Sequence, residues 1–406
     1  MSLFDRISKR SEPVVQFVNE ESIYLEGPHS GERIDHKSSM RLVPVWACVQ
    51  LIAGALGSLP LRVYRTTADG KKSEVPSHRT ARLLASPNPY MAGDELVECA
   101  ASHLQLWGNA FIFKNKVNGV VTELWPIDPQ RVKITKSAEG YPLYVVDGKK
   151  GPFTADTILH IRGLSWDGLV GLSPIQQAYQ GLGNYKAAER FQGRFWANNA
   201  TPGGVLTHPS RLSPDAAKRL RAQWTAAHSG NSSSSTAILE EGMTYVPLTL
   251  PIADARLLEQ MDASVLDCAR MWQVPASMIQ TGVAHQSMTY SSTEMEYQHF
   301  VRFTLRRWMS RIEKSFMRDP DLFSTNGLGG QFSVSFDTSD LTRGDSRTTA
   351  DIQIALFKEG IVTKDEVRAE LGRSPLDPAI DLTLPALPAA VANPVLQSPQ
   401  TPSGAN

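Results

Sequence analysis

The stretch Leu42 to Leu61 carries no charged side chain and is long enough to cross a bilayer, so its fate decides what kind of chain this is. It also holds Pro44, Gln50, Gly54, Gly57, Ser58 and Pro60, which break or polarise such a span. Val45, Val49, Ile52, Ala53 and Leu56 recur at helical spacing. The spacing predicts a buried helix from about Pro44 to Gly57, then a strand from Leu61 to Arg65. A buried helix needs a core around it, and the composition supplies one: 41% hydrophobic and 20% charged residues. The 406 residues exceed one ordinary compact domain and predict several modules. Lysine plus arginine (41) balance aspartate plus glutamate (41), which excludes a generally basic nucleic-acid coat. The first ten residues lack the apolar run of a secretory signal. Cys48, Cys99 and Cys268 lie far apart in apolar helical stretches and read as buried thiols of a reducing cytosol.

Residues 1–40 read as a polar, irregular arm. A helix is predicted from about Asp94 to Leu106, followed by short strands at 110–113, 120–124, 132–135, 143–146 and 158–161. Gly, Asn and Pro bound these strands, so 41–172 reads as an α+β module. Ser173-Pro-Ile-Gln176 is a capping box with proline at the first helical position. It opens a helix to about Asn199, roughly 40 Å long, despite Gly181, Gly183 and Gly193. A compact insert follows, with strands at 203–207, 237–240 and 244–247 and a helix from Ser213 to His228. A second long helix covers about 253–273 and stops at Val274-Pro275. Thr281 to Tyr290 has no period and reads as a loop. Ser291-Ser-Thr-Glu294 is read as the capping box of a third long helix, reaching Met317. A strand at 331–336 and helices at about 346–358 and 363–371 complete the ordered chain, and 376–406 reads as a disordered tail rich in Pro, Ala and Ser.

No catalytic constellation is visible. There is no phosphate loop of the G-x-x-x-x-G-K-[ST] type and no H-E-x-x-H. Gly163 to Gly168 misses the nucleophile elbow by one residue and reads as a turn after a strand. Asp337, Asp340 and Asp345 lack the spacing of a metal loop and read as turn residues. Charge is segregated instead. Residues 173–228 hold Lys186, Arg190, Arg194, Arg211, Lys218, Arg219 and Arg221 against Glu189 and Asp215. Residues 239–270 hold Glu240, Glu241, Asp254, Glu259, Asp262 and Asp267 against Arg256 and Arg270. A solvated face explains this in a monomer. Two successive long helices of opposite sign also suit a head-to-tail contact between copies in a ring.

The order of these elements resembles the HK97-like portal family of tailed bacteriophages. The resemblance rests on Val45-Trp-Ala-Cys-Val-Gln-Leu-Ile52, Leu59-Pro-Leu-Arg-Val-Tyr64, Gly108-Asn-Ala-Phe-Ile112, Leu124-Trp-Pro-Ile-Asp-Pro129 and His160-Ile-Arg162. Further on it rests on Gly171-Leu-Ser-Pro-Ile175, Ala269-Arg-Met-Trp-Gln-Val-Pro275, Tyr290 to Leu305 and Thr363-Lys-Asp-Glu-Val-Arg368. It implies an α+β portal fold: an α/β wing (41–172), stem helix 1 (173–200), a small α/β clip (201–250) and stem helix 2 (251–275). Residues 276–340 would be tunnel loop, tunnel helix and returning wing strand, and 341–375 a short helical crown. Arg306-Arg307 stands where relatives of this kind carry a helix-bending Leu-x-Pro, so the sequence places no kink.

The resemblance further implies a ring oligomer, usually of twelve subunits, at the portal vertex of a capsid in the virion, assembled in the host cytoplasm. Double-stranded DNA would pass through its bore. The ring would contact the major capsid protein and dock the terminase large subunit and then the head–tail adaptor. It would need no cofactor, carry no catalysis and touch no membrane. Arg190 and Arg194 would meet Glu259 and Asp262 across the stem boundary. Arg211, Lys218, Arg219, Arg221, Glu240 and Glu241 would face docking partners on the clip. The loop residues His285, Gln286, Ser287, Met288 and Thr289 would touch DNA; they offer weak hydrogen bonds and a soft apolar surface, where clustered Lys or Arg would grip phosphates. Two other classes stand beside this one. A DNA-processing enzyme of a phage particle needs a metal or nucleophile cluster that no motif supplies. A membrane-associated assembly factor needs Leu42–Leu61 to insert.

Overall fold

The structure, a computed structural model, describes residues 29–67, 70, 72–197, 204–209, 213–228, 243–247, 253–279, 290–323, 332–338 and 346–370. It divides into two units, Met1–Thr338 and Ser339–Asn406. In chain order the first unit contains α1 (His36–Ser39), α2 (Val43–Gly57), β1 (Leu61–Thr66), β2 (Lys72–Glu74), α3 (Arg79–Ala85) and α4 (Gly93–Trp107). Then come β3 (Asn109–Val117), β4 (Val120–Ile127), β5 (Val132–Lys136), β6 (Pro142–Val146), β7 (Pro152–Phe153) and β8 (Ile158–Arg162). The helical part has α5 (Pro174–Gln177), α6 (Tyr179–Ala197), β9 (Gly204–Thr207), α7 (Pro214–His228), β10 (Thr244–Pro247), α8 (Ala253–Trp272), α9 (Tyr290–His299), a π-helical segment (Phe300–Leu305), α10 (Arg306–Arg318) and β11 (Phe332–Phe336). The second unit holds α11 (Ser346–Lys358) and α12 (Lys364–Glu370).

The uncharged run settles as core. Val45, Cys48, Val49, Ile52, Ala53 and Leu56 of α2 are buried, and α2 packs on α4 and α8. Among the described residues, no helix is long and apolar enough to cross a membrane. Pro44 in the first turn suits a helix start, where its missing N–H costs nothing.

Two three-stranded antiparallel sheets stack face to face, in orders β4-β3-β8 and β5-β6-β7. Phe111, Ile134, Tyr144, Val146 and Ile158 fill the space between them. The β3–β4 hairpin turns on Asn118-Gly119, both with positive φ (52° and 77°), the pairing that two-residue hairpins demand. The other face of β3 and β8 carries α4 and α10. A third sheet, β11-β1-β2, joins chain ends far apart: Leu61 pairs with Phe336 and Arg65 with Phe332. The expected return of the 292–336 region to the early module is therefore present.

Several boundaries differ from expectation. The helix after Ser173 breaks at Ala178 into α5 and α6. Ser173 still caps it, its Oγ accepting the Gln176 N–H at 3.2 Å. The third long helix already runs at Tyr290, so Ser291 lies within it and does not cap it. This helix carries a π segment directly before Arg306-Arg307, the kind of irregularity that bends helices without proline. Residues 29–40 are no irregular arm but a strap against the body. The helix α8 ends in a Schellman motif: Val274 N–H reaches Ala269 O (2.9 Å), Gln273 N–H reaches Arg270 O (3.1 Å), and Gln273 takes φ +58°. Pro275 then prevents continuation. Thr363 and Glu366 form the expected reciprocal capping box before α12.

Candidate assembly surfaces

The α/β body hands over to the long helices at one crowded point. Gly108 ends α4 in the left-handed region, with φ +68°. Its carbonyl accepts from Gly163 N–H at 2.7 Å, and Gly171 lies so close that a side chain on either would meet backbone. Asn109 bridges the same strands. Its Nδ2 donates to Trp107 O (2.9 Å) and Gly171 O (2.7 Å), and its Oδ1 accepts Gly171 N–H at 2.7 Å. With Oδ1 fixed as an acceptor, His160 Nε2 donates to it (2.9 Å), which leaves Nδ1 to accept from Tyr144 O–H at 3.3 Å. Ser173 Oγ donates to Leu106 O and takes the His36 Nε2–H at 3.0 Å. His36 stacks on Trp107 with ring centres 4.8 Å apart.

Burial pushes the His160 imidazole down to about 3, helped by Arg162, and that of His36 down to about 4. An unfolded imidazole titrates near 6.5, so below that pH the unfolded chain binds protons that these two sites refuse. Stability is therefore whole above pH 6.5 and falls as pH drops toward 4, by up to about 1.4 kcal/mol per pH unit for each histidine. Urea midpoints at about pH 7 and about pH 5 check this. A clear drop at the lower pH is expected, and equal midpoints contradict the neutral assignment.

The strap holds the first long helix. His29 N–H donates to Gln180 Oε1 at 3.0 Å, and Lys186 Nζ donates to Arg33 O at 3.0 Å. Glu32 accepts an ion pair from Arg190 and lies 3.5 Å from Lys186. The Arg190 hydrogen bond holds the Glu32 carboxyl below the usual carboxylate range. Arg190, expected to face a neighbouring copy, thus already has a partner within its own chain. Arg194, one turn on, is exposed, and so is Asp262 on α8. The helices α6 and α8 pack on each other. Glu259 lies within α8 and its side chain is outside the described residues. Lys218, Arg219 and Arg221 are exposed on α7, which lies in the chain between the two paired strands β9 and β10. Arg211, Glu240, Glu241 and the whole set His285, Gln286, Ser287, Met288 and Thr289 lie outside the described residues.

The three cysteines are free; burial pushes Cys48 and Cys268 up to about 12 and Cys99 to about 11, which leaves inert thiols. Among the described residues no group of three or more His, Cys, Asp or Glu side chains is placed to hold a metal. The sequence reading missed a basic surface on the third helix. Arg302, Arg306, Arg307, Lys314 and Arg318 are exposed there, and only Glu313 opposes them between Phe300 and Arg318.

Comparison with known proteins agrees with this architecture. A family model described as phage portal protein matches residues 44–372. The chain is 30% identical over 365 residues to a probable portal protein of Streptomyces phage phiC31, covering 86% of this chain and 78% of that one. It is 29% identical over 350 residues to the portal protein of Enterobacteria phage HK97, covering 84% and 81%. Among solved structures, an HK97-family phage portal protein from Corynebacterium diphtheriae superposes with a TM-score of 0.60 at 19% identity, covering 78% of this chain and 99% of that one. The neck of an empty gene transfer agent particle superposes with a TM-score of 0.59 at 24% identity, covering 88% and 100%. A match of this extent, on a body, paired long helices, an intervening insert and a returning strand, places the chain in the phage portal protein family.

Proposed function

We propose that copies of this chain close into a ring at one capsid vertex, through which double-stranded DNA enters during packaging and leaves at ejection. The observation that carries it is the pair α6 and α8, packed on each other and rooted in the glycine junction, with the insert between them at their far ends. Such a pair is a stalk, and a stalk with basic residues on its first helix and acidic residues on its second suits a head-to-tail contact that closes into a ring. The twelvefold symmetry used for a native gene transfer agent neck supports the same closure here. Arg194 faces Asp262 and Glu259 of the next copy, while Arg190 stays with Glu32.

The insert at 201–250 is the docking surface for the terminase and later the head–tail adaptor, with Lys218, Arg219 and Arg221 in contact. It is too small to bury a core of its own. The loop at 282–290 lines the bore and slides on DNA. The ring supplies the path, and the motor that docks on it supplies ATP hydrolysis. One experiment tests the path and the dock together. In filled particles, a photoreactive residue at Ser287 labels DNA, and one at Arg219 labels the motor or adaptor. Labelling of the capsid protein from both positions contradicts the assignment.

A further inference from the structure

A cavity of 490 Å³ opens beside the glycine junction, where the end of α4, the turn after β8, α5, the end of α8 and the start of α10 meet. That volume lies in the range of small-ligand sites. Its floor is core: Leu104 of α4, Trp272 of α8 and Trp308 of α10 are buried. Its rim is not. Leu164 is 70% exposed and Trp166 87%, and Gln177 and Arg307 are exposed with them. The hollow remains with all these side chains in place, so it is unfilled space and not part of the packed interior. Leu164 and Trp166 stand in water at its mouth, which a ligand with an apolar surface would relieve.

The charge in the lining is of one sign. Arg307 and Arg311, one helical turn apart, stand in it, and no Asp or Glu does. Arg307 lies over the Trp308 ring, 4.9 Å from its centre, which sets the guanidinium against the apolar wall. Among the described residues no carboxylate pairs with it. Partial burial and the Arg311 charge both hold the Arg307 guanidinium below its usual pKa, and no acid offsets them. Arg311 donates through Nη1 to Arg162 O and Gly163 O, which leaves its Nε and Nη2 donors. The cavity therefore joins apolar walls to positive charge without a matching negative partner.

We propose that this cavity binds a small organic anion, its apolar rings against Leu164, Trp166 and the tryptophan floor and its carboxylate or sulfonate on Arg307 and Arg311. Guanidinium groups meet such oxygens through parallel N–H donors, the strong form of the charge-assisted hydrogen bond. Both halves of the ligand are needed. A neutral apolar molecule would cover the two guanidinium groups without a partner, and a bare anion would leave the apolar walls wet. A DNA duplex does not fit a concave site of this size.

The test uses the purified full chain and 8-anilinonaphthalene-1-sulfonate, whose emission rises as it leaves water. N-phenyl-1-naphthylamine, the same rings without the sulfonate, is the neutral comparison. Saturable binding at one site per chain is expected, with a Kd on the order of 10–100 μM. R307Q, at an exposed side chain, should weaken the sulfonate by about tenfold or more and leave the neutral probe unchanged. A178F, which puts a ring into the cavity, should weaken both, and R302Q, on the same helix but outside the lining, should change neither. The proposal is overturned by no saturable binding below about 1 mM, by equal binding of the two probes, or by indifference of the sulfonate to R307Q. Binding that vanishes as copies associate assigns the cavity to a neighbouring copy and equally overturns it.

Discussion

Replacing Lys114 with alanine lowers the unfolding free energy by about 3–5 kcal/mol, among the largest effects expected of any single change in this chain. The side chain is fully buried, and its ammonium lies 2.6 Å from Asp319, itself 3% exposed, and 2.6 Å from Asp321. It also donates to Ala155 O at 3.0 Å, so β3, the segment before β8 and the end of α10 all meet at one charge. Removing it strands the Asp319 carboxylate in a buried site, where burial already pushes its pKa up. Asp321 behaves oppositely: burial works against its charge, but hydrogen bonds from Lys114 and Lys116 hold its carboxyl below the usual range. A carboxyl depressed in the folded state stabilises above its unfolded pKa, and that contribution is lost as pH falls through the folded value. Denaturant unfolding of the purified chain at fixed concentration measures the loss. A second variant, K114M/D319L, removes charge and partner together and should recover much of it. A loss below about 1 kcal/mol for the single alanine contradicts the account of this cluster.

Gly108→Ala and Gly171→Ala should each cost about 3 kcal/mol or more. A Cβ on Gly108 would sit 2.0 Å from Leu172 O, and one on Gly171 would sit 1.9 Å from Gly108 O. Both obstacles are backbone held by ladder and Asn109 hydrogen bonds, so neither can turn aside as a side chain would. Gly108 adds the strain of a positive φ. Gly181→Ala in α6 is the matched control, because nothing lies within 4 Å of the added carbon there. It should be neutral or stabilising by up to about 1 kcal/mol. Thermal and urea unfolding of the three variants distinguish the cases. Near-equal stabilities contradict a close-packed root for the long helices.

Most of the first unit was legible because its punctuation is local. Strands β3 to β8, apart from β7, were found from Gly, Asn and Pro between β-rich runs, and α2, α4, α7 and α8 from period and capping. What was missed depends on partners far along the chain. The strand β3 was expected to stop at Phe113, since Lys114 reads as polar; only Asp319 and Asp321 explain a lysine in that position. The strap at 29–40 reads as loose polar chain until Gln180, Lys186, Arg190 and Ser173 stand beside it. The short elements β2, β7 and α3 have too few residues to show a period. The basic face of α10 is masked in the sequence by the apolar period of Trp308, Ile312 and Phe316, which marks the helix as core. The glycines at 108, 163 and 171 are spread over three segments, and nothing in the sequence says that they touch. The portal assignment itself came from the order of weak motifs, since no single element carries it.

The ring is the central claim, and electron microscopy of the purified chain in negative stain tests it most directly. In low-salt buffer, Arg194→Glu should reduce the share of rings, because exposed pairs worth about 0–1 kcal/mol each recur at every interface. The account predicts that the unaltered protein images as closed rings of uniform size with a central hole. Single particles without a hole, at every protein concentration and salt tried, would contradict it.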